Sequence, residues 1–140
     1  MLTVYSDGSA HGHPNLPGGW AFVVLRNQLE LDSGSGGAKK TTNNHMELRA
    51  AIAGLTAAGR LRVDGEPIVL KTDSRLTIDV ALGRDEPVRL DAEIAELRAL
   101  MLQLTPDVQW VRAHAGQAWN EHVDALARAA RQRFTKARKR

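Results

Sequence analysis

Cysteine is absent from the chain. That excludes a disulfide framework, a thiolate metal site and a cysteine nucleophile together. Long apolar runs are missing as well: nothing approaches the roughly 20 residues that a helix needs to cross a bilayer, and no positively charged leader precedes an apolar segment. The expectation is a cytoplasmic protein with no membrane partner. Net charge is small, formally +3 over 140 residues, but the basic excess is gathered in the C-terminal ARQRFTKARKR. Such a tail suits phosphates or acidic lipid heads, and a solvated, frayed terminus explains it equally well. The length fits one domain large enough to need no metal merely to fold.

What is present reads as alternating strands and helices. LTVYS, from Leu2 to Ser6, alternates and is rich in strand formers, and it ends at Asp7. After the loop AHGHPNLPGG, WAFVVL is a second strand and QLELDSG a third, with Arg26 and Asn27 near the connecting turn. Three strands this close together suggest an antiparallel meander, followed by GSGGAKKTTNN as a loop. From Met46 the period changes: Leu48, Ala51, Ile52 and Leu55 fall at i, i+3, i+4 and i+7, one apolar helix face, with Gly59 as the stop. IVLKT is an apolar strand running into Asp73, SRLTIDVAL a short helix, and Ile94, Leu97, Met101 and Leu104 line another. VQWVRA is the fifth strand, and Val123, Leu126, Ala127 and Ala130 mark the terminal helix. A mixed α/β sheet covered by helices is the packing solution, with no internal repeat or second domain.

Four carboxylates are notable for their positions. Asp7 and Asp73 each end a strand, Glu47 opens a helix, and Asp124 lies in the first turns of the last one. A helix dipole alone explains Glu47 and Asp124, at about 0.3–1 kcal/mol each. If the first and fourth strands are neighbours, however, Asp7 and Asp73 meet at the C-terminal edge of the sheet, where ligands gather. Converging acids raise one another's pKa, and a hard cation resolves that conflict. Oxygen-only ligation points to Mg²⁺ or Mn²⁺ rather than zinc.

The segments YSDGS, GGWAFVV, TTNNHMELRAAIAGL, LKTDS and WVRAHAGQAWNEHVDALARAA resemble ribonuclease H of type 1, the bacterial enzyme that cleaves RNA within an RNA–DNA hybrid. The resemblance implies a ribonuclease H-like fold: a five-stranded mixed sheet, first three strands antiparallel, flanked by helices. It implies one catalytic domain over residues 1–134, a basic tail over 135–140, and a monomer. It assigns the metal-holding catalytic carboxylates to Asp7, Glu47, Asp73 and Asp124, serving two Mg²⁺ ions with Mn²⁺ as an alternative, and a mobile catalytic histidine to His114. Asn43 and Asn44 then meet the minor groove of the hybrid and sense 2′-hydroxyls, the groups that distinguish RNA from DNA. Thr42 and Lys40 match phosphate contacts on the DNA strand; Gly8 and Ser9 lie where backbone N–H groups approach RNA; Asn120 holds loop or substrate, or caps the helix. The products implied carry 5′-phosphate and 3′-hydroxyl ends.

Two departures stand against that pattern. The loop AHGHPNLPGG is one residue longer than usual and has His13 in place of an asparagine, which puts phosphate binding there in doubt; His11 and His13 lack a third ligand for zinc. Between Asp73 and Ile94 the well-studied enzymes insert an extra helix and a basic protrusion, where this chain has only LTIDVALGRDEPVRLDAE. Chemistry is expected to remain, with affinity lowered or moved to Lys39, Lys40 and the basic C-terminus. Two rivals stay open: a DNA nuclease or transposase-like enzyme of the same fold, and a non-catalytic hybrid-binding module.

Overall fold

The computed structural model describes residues 1–84, 88–113 and 116–139, with side chains through Thr135. Among the described residues nine elements follow one another: β1 (Leu2–Ala10), β2 (Leu16–Arg26), β3 (Leu29–Thr41), α1 (Asn43–Leu61), β4 (Ile68–Thr72), α2 (Arg75–Ala81), α3 (Asp91–Leu104), β5 (Asp107–Trp110) and α4 (Ala118–Lys139). The five strands form one sheet in the order β3-β2-β1-β4-β5. β1 pairs antiparallel with β2 and β2 with β3, while β4 is parallel to both β1 and β5. The mixed sheet expected from the sequence is therefore present. Among the described residues, no helix is long and apolar enough to cross a membrane.

Alternation along β1 sorts its side chains between two helical layers. Leu2 and Val4 join Phe22, Val24, Leu48, Leu55 and Leu97 in the larger cluster beneath α1 and α3. Tyr5 points the other way and packs with Val23, Leu25 and Val123 under α4. Arg26 meets Glu66 at 2.7 and 2.8 Å, fastening the far end of β2 to the turn before β4. That pairing, with the Arg26 hydrogen bonds foremost, lowers the Glu66 pKa to about 2.

Several boundaries differ from the sequence expectation. β1 does not stop before Asp7. Its pairing with β4 ends at Ser6 opposite Thr72, but its pairing with β2 continues to Ala10 opposite Gly18. One neighbour is thus enough to keep the strand going. The stretch GSGGAKKT is strand rather than loop, because Gly34 and Gly36 face Phe22 and Trp20 across the β2–β3 ladder. An added Cβ at either glycine would lie 2.6 Å from the facing ring. The aromatic rings cover the glycine backbone and supply the packing that glycine lacks. α1 likewise passes Gly59 and ends at Leu61.

Helix α4 lies across the sheet close to β2. A Cβ at Gly19 would meet the Ala127 carbonyl, the Arg131 amide and, at 2.9 Å, the Ala130 methyl. Backbone atoms cannot yield as a flexible side chain can, so overpacking outweighs the modest backbone benefit of alanine. Gly19→Ala is expected to lower unfolding free energy by about 1–3 kcal/mol, read as a lower urea midpoint at unchanged m-value.

Candidate active site

The parallel pairing of β1 with β4 brings Asp7 and Asp73 to the same end of the sheet. Asp7 lies one residue beyond the last β1–β4 pair, on the α4 side by its spacing from Tyr5. Glu47 arrives from the opposite layer, in the second turn of α1. Its approach depends on Gly8: a Cβ there would lie 2.5 Å from the Glu47 nitrogen and 2.7 Å from the Met46 carbonyl carbon. Asp7, Glu47 and Asp73 each offer a carboxylate oxygen, and these atoms all lie within 4.8 Å of one another. Asp124, from α4, lines the same cleft of about 360 Å³, with Asn43, Asn44 and Arg75.

This concentration of acid is buried, with Asp7 only 4% and Glu47 6% exposed. Burial raises the Asp7 pKa far above the carboxylate range, with repulsion from Glu47 and Asp73 adding to it. Burial likewise raises Glu47, opposed by its hydrogen bonds to Asp7, Gly8 and Ser74, and it raises Asp73. Three neutral groups steady the cluster. The Gly8 N–H donates to Glu47 Oε1 and also to Asp7 Oδ1. Asn120 hydrogen-bonds Asp73 while its Oδ1 has no partner among the described residues. Ser74 accepts from the Thr77 backbone at 3.1 Å and the Thr77 hydroxyl at 2.9 Å, leaving its own proton for Glu47.

The other expected site residues are distributed more widely. Asn43 and Asn44 occupy the exposed first turn of α1, and Thr42 caps it by accepting from His45 N at 3.2 Å. Thr42 also lines a neighbouring cleft with His11, His13, Asn43 and Asn44. Lys40 is exposed on β3 and outside the carboxylate cleft. Ser9 is buried and accepts from Arg131 at 3.0 Å. Asn120 is not a helix cap, since α4 already begins at Ala118, and it turns inward to Asp73. His114 lies outside the described residues. Ser74 was not anticipated; a serine directly before the short helix SRLTIDVAL is a recognisable capping signal, but its second bond to Glu47 exists only in three dimensions.

The family model for RNase H matches residues 1–132. The chain belongs to the ribonuclease H family. It is similar to the Ribonuclease H of Phenylobacterium zucineum, 36% identical over 91% of this chain and 88% of that protein. The Ribonuclease HI of Synechocystis is 35% identical over 94% of this chain and 88% of its own. Among solved structures, the N-terminal RNase H domain of a Mycobacterium tuberculosis protein, fused to maltose binding protein, superposes with a TM-score of 0.82 at 26% identity. That likeness covers 97% of this chain and 96% of the other. These ribonuclease H relatives support the type 1 assignment made from the motifs, and with it the expected fold.

Ribonucleases H depend on divalent metal ions, and the clustered oxygen donors of Asp7, Glu47 and Asp73 fit a hard cation. The raised pKa values give this a thermodynamic consequence. A folded carboxyl that binds its proton more tightly than the unfolded chain adds stability below the unfolded value and loses it as pH rises. In chelator, stability should fall from the ordinary values of 3.8 for Asp7 and 4.5 for Glu47 upward, through the Glu47 value of about 7. Urea midpoints with chelator at pH 5 and pH 8 are expected to show the decline, and Mg²⁺ should reverse it at pH 8 only. Asp7→Asn should flatten both the pH and the Mg²⁺ dependence.

Proposed function

We propose that this cleft hydrolyses the RNA strand of RNA–DNA hybrids endonucleolytically, leaving 5′-phosphate and 3′-hydroxyl ends. The observation that carries the proposal is the meeting of four carboxylates, Asp7, Glu47, Asp73 and Asp124, in one cleft with Asn43 and Asn44 along it. Under this reading the four acids hold two divalent ions, Mg²⁺ by preference and Mn²⁺ in its place. Held there, such ions would supply the acidity of the attacking water and the counter-charge for the departing 3′-oxygen.

The protein's own groups do the rest. Gly8 N–H, Ser74 and Asn120 orient Glu47 and Asp73 so that their oxygens face one another. Arg128 lies 3.0 Å from Asp124 and restrains that carboxylate one helical turn away. The amides of Asn43 and Asn44, exposed at the start of α1, each offer both a donor and an acceptor to a ribose 2′-hydroxyl. His114 transfers a proton or assists product departure. Thr42 and Lys40 contact DNA-strand phosphates, and the basic residues from Lys136 to Arg140 add non-specific affinity. The Gly8 N–H already serves Glu47 and Asp7, so Gly8 acts on RNA through the frame it holds, while the Ser9 backbone N–H approaches the RNA strand. The protein works in the cytoplasm as a monomer.

One preparation offered labelled hybrid, duplex RNA, duplex DNA and single-ribonucleotide substrates, with and without Mg²⁺, tests the reading. Hybrid should be cut and duplex DNA spared; equal cutting of both points to a general nuclease, and tight hybrid binding without cutting to a binding module. Asp7→Asn and Asp73→Asn are each expected to lower hybrid cleavage by at least about a hundredfold while the far-ultraviolet spectrum stays native. Asn44→Ala should lose hybrid binding and discrimination instead, by about 1–3 kcal/mol in the ratio of hybrid to duplex DNA affinity.

A further inference from the structure

Beside the carboxylate cleft lies another, of about 190 Å³, lined by Arg75, Ile78, Asp79, Arg84 and Trp110. Arg75 lines both. It is the first residue of α2, two positions beyond Asp73, and its side chain is exposed. The guanidinium carbon stands 4.9 Å from the centroid of the Trp110 ring. Trp110 ends β5, an edge strand, and is 47% exposed. Its exposed ring is the face on which the Arg75 guanidinium lies.

The neighbouring cations differ from Arg75. Arg84 is paired with Asp79 at 2.6 Å, and Arg128 with Asp124 at 3.0 Å. The described ion pairs do not include Arg75, whose contact is the indole face. A guanidinium over indole gains only about 0.5–1 kcal/mol at an exposed site. That is less than the roughly 2 kcal/mol of rotamer freedom an arginine carries, so the contact biases the side chain toward the indole face without fixing it. Arg75 thus presents a guanidinium, outside the described ion pairs, at the rim of the carboxylate cleft. A backbone phosphodiester is an anion of the kind that a planar guanidinium fork suits.

We infer that Arg75, held against Trp110, binds a backbone phosphate of the RNA strand entering the carboxylate cleft. Trp110 is the positioning residue for that contact. The inference rests on the hydrolase reading and extends its substrate path across α2 to the β5 edge. It also locates a cationic contact within the chain's own α2, next to the segment where the basic protrusion is missing.

A purely structural role is the competing explanation, with the stacked pair tying α2 to β5. Salt dependence separates the two, because a structural stack releases no counterions on binding. Hybrid affinity is measured in Ca²⁺ from about 50 to 200 mM KCl for the wild type, Arg75→Ala, Arg75→Lys and Trp110→Ala, with kinetics in Mg²⁺. Arg75→Ala is expected to weaken binding roughly three- to tenfold and to flatten the slope of log K against log salt by about 0.7–0.9. Arg75→Lys should restore the slope, and Trp110→Ala should weaken binding with no change in formal charge. KM should rise with Kd while kcat moves less than about twofold. A wild type that binds and cleaves hybrid, with an overlapping Arg75→Ala salt plot, overturns this contact and leaves the hydrolase reading standing. A fall in kcat at unchanged KM overturns it as well. A wild type that neither binds nor cleaves hybrid overturns both.

Discussion

The carboxylate-bearing end of this fold depends on how closely α1 approaches β1 at Gly8. Any side chain there would enter the backbone of the helix between Met46 and Glu47. With only hydrogen in the way, Glu47 reaches over the strand to the level of Asp7, and the Gly8 N–H is free to bond it. The same contact sets where the first turn of α1 stands, and so where Asn43 and Asn44 are displayed. Strand order, helix position and cleft geometry thus share a constraint that one missing Cβ permits.

The cluster so formed is electrostatically unfavourable by itself. Its acids are buried against one another, and burial is the largest cause of the raised pKa at Asp7, Glu47 and Asp73. Hydrogen bonds from Gly8, Ser74 and Asn120 offset part of the cost without removing the repulsion. A protein optimised for stability alone would not retain such a group; local rules are broken most at sites that perform chemistry. The larger apolar cluster under α1 and the smaller one under α4 supply the stability that this arrangement draws on.

Much of this was legible in the chain. The periodicity of Leu48, Ala51, Ile52 and Leu55 located α1, and IVLKT located β4. The acids at 7, 47, 73 and 124 stood out by position, and the TTNN-x-MEL and HAG-x-x-x-N-E-x-x-D strings gave the family. What escaped depends on neighbours distant in sequence. Glycine has little strand propensity, so GSGGAKKT reads as loop until Trp20 and Phe22 lie across from it. Asp7 reads as a strand end because its partner on one side stops there, while the other side continues. Asn120 and Ser74 look like capping residues, and their bonds to Asp73 and Glu47 appear only when α4 and α1 converge on the sheet.

The cleft draws its acids from both helical layers, Glu47 from α1 and Asp124 from α4, with the sheet between them. Partial openings therefore disarm it. A state in which α4 detaches loses Asp124, and it also loses the Asn120 bond that steadies Asp73. A state in which the start of α1 frays loses Glu47 and both asparagines. On the proposed reading, nascent or locally opened chains would cut no hybrid until both layers have docked, and hydrolytic competence would measure complete tertiary assembly.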